Sequence, residues 1–120
     1  MAKGDFASRV REAAQARSAR DLAQQIHDEL VGKIAAEARS LGELVYFTRD
    51  SRRAPPGYPD LTIAGRRGVL WAEVKSERGK MQPRQQDWRY MLQASGQQWR
   101  LWRPADWTSG QIHADLRDIA

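Results

Sequence analysis

The 120-residue chain has no cysteine. That excludes a disulfide framework and any thiolate-held zinc or iron–sulfur centre. Long apolar runs are missing as well. None approaches the roughly 18 residues that a membrane helix needs, so no spanning segment is expected. Large core-formers are scarce: aromatics make up 8% of the chain, and 17 of its apolar residues are alanine. A single modest core built on a few Leu, Ile, Val and Trp side chains follows from this, as does one domain. Lysine is also rare, with 4 against 16 arginines. The N-terminus is rich in Arg and Ala, as a transit peptide would be. Yet Asp5, Glu12 and Asp21 interrupt it and no apolar segment follows, so a soluble intracellular protein is expected.

What is present is charge, unevenly spread. The formal total is +5. Residues 1–48 sum to zero, residues 49–103 to +7 (twelve basic, five acidic), and residues 104–120 to −2. The central block is suited to meet a polyanion, although a solvated basic surface with no partner gives the same sum.

Periodicity divides the chain into elements. The first twenty residues are rich in the helix formers Ala, Arg and Gln, and Ser18 followed by Asp21 is a weak helix start. Leu22, Ile26, Leu30, Ile34, Ala38 and Leu41 then repeat at a helical period, with Gly42 as the stop. Leu44–Thr48 reads as a strand, and the proline-rich, basic stretch 49–59 as a loop. Asp60–Ala64 and Val69–Lys75 flank Gly65-Arg66-Arg67-Gly68, a hairpin signature. Pro83 opens a helix to about Ser95, 97–103 is a strand, and 105–118 a final helix carrying Trp107, Ile112 and Leu116. The expected class is α/β, in the order αβββαβ with a closing helix and a mixed central sheet flanked by helices.

The hairpin has a chemical consequence. Centred between Arg66 and Arg67, it pairs Leu61 with Ala72, Thr62 with Trp71, Ile63 with Leu70, and Asp60 with Glu73. Alternation then sends Leu61, Ile63, Leu70, Ala72 and Val74 to one face, whereas a one-residue slip would place Asp60 among them. Opposed Cβ atoms lie about 4.5–5.5 Å apart, so Asp60 and Glu73 are near enough to share a divalent cation. Lys75 stands on the same face. Oxygen ligation favours Mg²⁺ or Mn²⁺ over zinc. A structural Asp–Lys–Glu ion cluster is the alternative. In a chain that otherwise prefers arginine, Lys75 is the less expected choice, and a compact ammonium approaches phosphate or water as a point charge.

The motifs Gly57-Tyr58-Pro59-Asp60 and Glu73-Val74-Lys75 resemble the signature of the PD-(D/E)xK nuclease superfamily. With Asp50-Ser51-Arg52-Arg53, Gly79-Lys80-Met81, Pro83, Gln85, Trp88 and Trp102-Arg103-Pro104-Ala105-Asp106-Trp107, the pattern resembles the VRR-NUC family, the virus-type replication-repair nucleases, and in particular its small stand-alone phage members. It covers about residues 28–108. Residues 1–24 are then a helical extension and 25–120 the nuclease domain with a restriction-endonuclease-like core.

The resemblance implies a metal-dependent nuclease that hydrolyses DNA phosphodiester bonds. Asp60 and Glu73 would ligate Mg²⁺ or Mn²⁺ with the Val74 carbonyl, and Glu29 would complete the metal environment. Lys75 would position the hydrolytic water, and Gln85 would support Lys75 or the scissile phosphate. Arg49, Ser51, Arg52, Arg53, Tyr58, Arg66, Arg67, Arg78, Lys80 and Arg84 are the candidate nucleic-acid contacts. Such contacts position a backbone without reading sequence, so branched, flapped or junction DNA is the expected substrate. A homodimer through the N-terminal helix and a cytoplasmic location, in a bacterial or phage-infected cell, fit this picture. The alternatives are a non-catalytic nucleic-acid-binding module of the same fold and a structural phage protein. His27 and His113 have no partner at metal-ligand spacing, so no chemistry is assigned to them.

Overall fold

The computed structural model describes residues 5–48 and 54–120. A single helix, α1 (Phe6–Ser40), occupies the first third of the chain. It begins where Asp5 caps it, the carboxylate accepting a hydrogen bond from the Ser8 amide at 2.7 Å; this satisfies one of the amides that a helix start leaves unpaired. The expected start near Ser18–Asp21 is therefore corrected. In an Ala-, Arg- and Gln-rich context, Ser18 and Asp21 cost too little helix propensity to interrupt 35 residues. Residues 24 and 25 lie within this same helix. At about 1.5 Å per residue such a helix is roughly 52 Å long, which accounts for the 63 Å long axis against 28 and 25 Å across.

Only the second half of α1 is used for packing. Leu30, Val31, Ile34, Ala35 and Ala38 are buried, while Leu22 and Ile26, part of the same apolar repeat, are 57% and 49% exposed. After α1 the chain enters a four-stranded sheet: β1 (Leu44–Phe47), β2 (Leu61–Gly65), β3 (Gly68–Val74) and β4 (Gln98–Trp102), in that spatial order. The first three strands are antiparallel, and β4 runs parallel to β3. A parallel return needs a crossover, and α2 (Pro83–Ala94) supplies it.

The β2–β3 register is the expected one, with Leu61 opposite Ala72, Thr62 opposite Trp71 and Ile63 opposite Leu70. One sheet face is consequently apolar. Leu61, Ile63, Leu70, Ala72, Val74 and Trp102 form the core with the buried face of α1 and with Ile112, Leu116 and Ile119. The single helix expected over 105–118 is two, α3 (Pro104–Thr108) and α4 (Gln111–Ile119). Gly110 separates them at φ +86°, a conformation that costs glycine little.

One buried charge ties α4 to the sheet. Asp115 is 5% exposed. Its Oδ2 accepts from the Trp102 indole N–H at 2.9 Å, its Oδ1 from the Gln111 amide at 2.9 Å, and the Arg100 guanidinium lies 3.5 Å away. Among the described residues, no helix is long and apolar enough to cross a membrane.

Candidate active site

The site is built where β1, β2 and β3 end together against the middle of α1. The loop entering β2 is set by Gly57, which has φ +79°. A Cβ there would come within 2.3 Å of the Arg84 carbonyl carbon, so the loop passes directly against the first turn of α2. Tyr58 then packs inward. Its ring meets Trp88 edge-on at 4.8 Å, and its hydroxyl receives the Trp71 indole N–H at 3.2 Å and lies 3.3 Å from Thr62 Oγ1. These contacts anchor the loop through Tyr58, which stays half-buried. Pro59 is fully buried; its carbonyl accepts from Thr48 Oγ1 at 2.8 Å, and the Thr48 amide donates to the Asp60 carbonyl at 3.0 Å.

Asp60 is thus held one residue before β2, and the expected Asp60–Glu73 rung is replaced by a side-chain arrangement. Asp60 Oδ2 accepts from the Val74 amide at 2.8 Å, and the Asp60 and Glu73 carboxyl groups lie close enough to shift each other's titration. Glu73 is 3% exposed. Burial, together with the hydrogen bond and charge of Asp60, pushes its carboxyl up to about 9, against a smaller downward pull from Lys75. At neutral pH Glu73 therefore keeps a proton. Burial also pushes Asp60 up, but the hydrogen bonds with His27, Glu73 and the Val74 amide outweigh it and hold Asp60 below the usual carboxylate range. One carboxyl neutral and one ionised is what two adjacent acids adopt without a counter-charge.

Lys75 follows β3 directly and extends the sheet, its amide donating to the Trp102 carbonyl at 2.9 Å. The loop beyond it is clamped. The Arg103 guanidinium donates to the carbonyls of Ser76 and, at 2.8 Å, Gly79, and Glu77 accepts from the Ala105 amide at the start of α3. Arg103 belongs to the Trp-Arg-Pro run, but its part in holding this loop is not visible in sequence.

Asp60, Glu73, Val74, Lys75 and Gln85 line one open cleft of about 1270 Å³, walled on the other side by residues 20–32 of α1. Gln85 has a second duty, since its Oε1 accepts from the Gln82 amide at 2.7 Å and caps α2. Glu29 is not brought in. It is exposed, accepts from Gln25 at 3.3 Å, and points away from the cleft, whereas His27 and Asp28 face it. The helical step of about 100° per residue explains this: positions 24, 27, 28 and 31 share one face and 29 does not. His27, given no role in sequence, lies with Nε2 3.4 Å from Asp60 Oδ2. That contact, offset by partial burial, raises its pKa. No local spacing could have revealed it, because its partner is 33 residues away.

The basic candidates divide. Arg49, Ser51, Arg52 and Arg53 lie outside the described residues. Arg78, Lys80 and Arg84 are exposed on the segment joining Lys75 to Gln85. Arg66 and Arg67 sit at the hairpin tip, where the Arg67 amide donates to the Ile119 carbonyl at 2.9 Å. At about 3.4 Å per residue that tip is some 17 Å along β2 from Asp60, so it does not belong to the cleft. Arg20, not singled out in sequence, lines it.

The donor set suits a hard divalent cation: two adjacent carboxyl groups, one buried, stand beside the Val74 backbone, and an ion would replace the proton that burial favours on Glu73. Among the described residues, no group of three or more His, Cys, Asp or Glu side chains is arranged to hold a metal. Such an ion would therefore rest on Asp60, Glu73, the Val74 carbonyl and water. Comparison with protein-family models, curated proteins and solved structures finds no match.

Proposed function

We propose that the chain is a metal-dependent nuclease of the VRR-NUC type within the PD-(D/E)xK superfamily, hydrolysing DNA phosphodiester bonds. One observation carries this reading: a buried Glu73 and an Asp60 held below the usual carboxylate range meet in a cleft that Lys75, directly after β3, also lines. A divalent cation, when bound, supplies Lewis acidity to a phosphoryl oxygen and acidifies water. Asp60 and Glu73 would hold that cation, Glu73 losing its proton to solvent as the ion binds. The Lys75 ammonium, on a residue lining the cleft, would orient the attacking water and stabilise charge developing on the phosphoryl oxygens. Arg20, Arg78, Lys80 and Arg84 hold flanking phosphates without reading bases. With no base-reading element among the described residues, the preferred substrates are flaps, branches and junctions.

The test is cleavage of duplex, flap and four-way-junction DNA with Mg²⁺, Mn²⁺ or EDTA, by the wild type, Asp60→Ala and Lys75→Ala. Metal-dependent cleavage abolished in both variants is expected. Binding without cleavage under every metal condition would instead favour the non-catalytic module.

A further inference from the structure

Asp60 is the end of a chain of side chains that starts on α1. The Gln24 amide donates to Asp28 Oδ1 at 2.9 Å, one turn along the helix. The same Asp28 oxygen faces His27 Nδ1 at 3.5 Å, and His27 Nε2 faces Asp60 Oδ2 at 3.4 Å. Oδ2 also takes the Val74 amide. Groups from two different elements thus converge on one oxygen of Asp60, and neither of these contacts uses its Oδ1. Carboxylates that ligate metals are themselves commonly held by such outer partners, and losing a partner typically weakens metal binding 10–100-fold.

We infer that His27, oriented by Asp28 and Gln24, is a positioning residue that fixes the rotamer of Asp60 and so sets the affinity of the site for its divalent cation. This rests on the nuclease reading. It gives the middle of α1 a specific duty, since residues 23–26 around it are exposed and contribute no core. It is also consistent with a ligand set limited to two side chains, because His27 acts through Asp60 and not on the ion.

The test is Mn²⁺ binding by titration calorimetry, with nitrogen hyperfine spectroscopy of the bound ion, on the full chain and on Asp60→Ala, His27→Ala, His27→Gln and Asp28→Asn. Expected are loss of binding in Asp60→Ala and a 10–100-fold weaker Kd in His27→Ala. His27→Gln, which keeps an N–H donor, should stay within about threefold of wild type, Asp28→Asn should fall between, and the wild type should show no directly bound imidazole nitrogen. Should His27→Ala fail to fold, His27→Gln and the exposed Asp28→Asn still give the graded series. Unchanged affinity in His27→Ala alongside loss in Asp60→Ala would overturn the role of His27 and leave the nuclease site standing. A bound imidazole nitrogen would overturn it by making His27 a ligand. Failure of the wild type to bind Mn²⁺, or indifference to Asp60→Ala, would overturn the site itself.

Discussion

Two carboxyl groups are buried to nearly the same degree in this small domain, Asp115 at 5% exposure and Glu73 at 3%, and they are answered in opposite ways. Asp115 receives an indole N–H and an amide N–H and has a guanidinium 3.5 Å away. Glu73 is met by another carboxyl group, with Lys75 too weakly coupled to offset it. The first arrangement is complete and serves the fold. The second is complete only while a proton, or a cation in its place, sits between the two acids. Burial alone does not mark a functional acid; the sign of what faces it does.

Substitution at each site breaks the comparison differently. Lys75→Ala is expected to lower single-turnover cleavage of flap DNA by at least about 10³-fold, roughly 4 kcal/mol of transition-state stabilisation, with the melting temperature little changed. A loss under tenfold would remove Lys75 from the chemistry. Asp115→Ala should do the reverse. Stability in urea is expected to fall by about 3 kcal/mol, because the Trp102 and Gln111 donors lose their acceptor, while the folded fraction cleaves at the wild-type rate.

The pH dependence separates the two acids further. Glu73 titrates near 9 in the folded chain against an ordinary 4.5, so between those values the folded state holds a proton that the unfolded state lacks. Without metal, stability therefore falls as pH rises from about 4.5 towards 9. His27, also raised, adds to the fall as pH passes above its ordinary 6.5. Asp60, lowered from 3.8, contributes stability that is lost only on acidification below that value. Thermal melts in EDTA should show Tm dropping by several degrees across this window. Glu73→Gln should flatten the profile, and saturating Mn²⁺ should reverse the drop.

A third buried acid sharpens the contrast at smaller scale. Glu43, 3% exposed, has neither oxygen hydrogen-bonded; burial, with Glu37 nearby, raises its pKa. Glu43→Gln should stabilise the fold by about 1 kcal/mol, read as a raised urea midpoint, without touching cleavage. Smallest of all, Arg66→Ala with Arg67→Ala is expected to change the cleavage rate less than twofold. A larger effect would mean that bound DNA spans the hairpin.

Legibility in sequence followed the range of the forces involved. The β2–β3 register was readable residue by residue, because a slip of one would have put Asp60 on the apolar face. The Asp60–Glu73 encounter and Lys75 beside it followed from that register. The phase and extent of α1 did not. Its apolar repeat begins at Leu22, but burial begins only at Leu30, because the sheet is too small to cover the rest. Which helix face meets Asp60 is likewise decided by tertiary docking, so Glu29 was placed at the site while His27 and Asp28 face it. The division of the last helix at Gly110 and the Arg103 clamp depend on contacts that local pattern does not encode.

The long helix has one more consequence, in its dynamics. From residue 9 to residue 26 α1 touches no core, and from Leu30 onward it is packed. Amide hydrogen-exchange protection along this single helix should rise from slight in its exposed N-terminal half to global past Leu30. Most of the α1 cleft wall, from Arg20 to Asp28, lies on the slope between. A ligand that fills the cleft should move that slope towards the N-terminus, so the exchange boundary within one continuous helix becomes a direct gauge of occupancy.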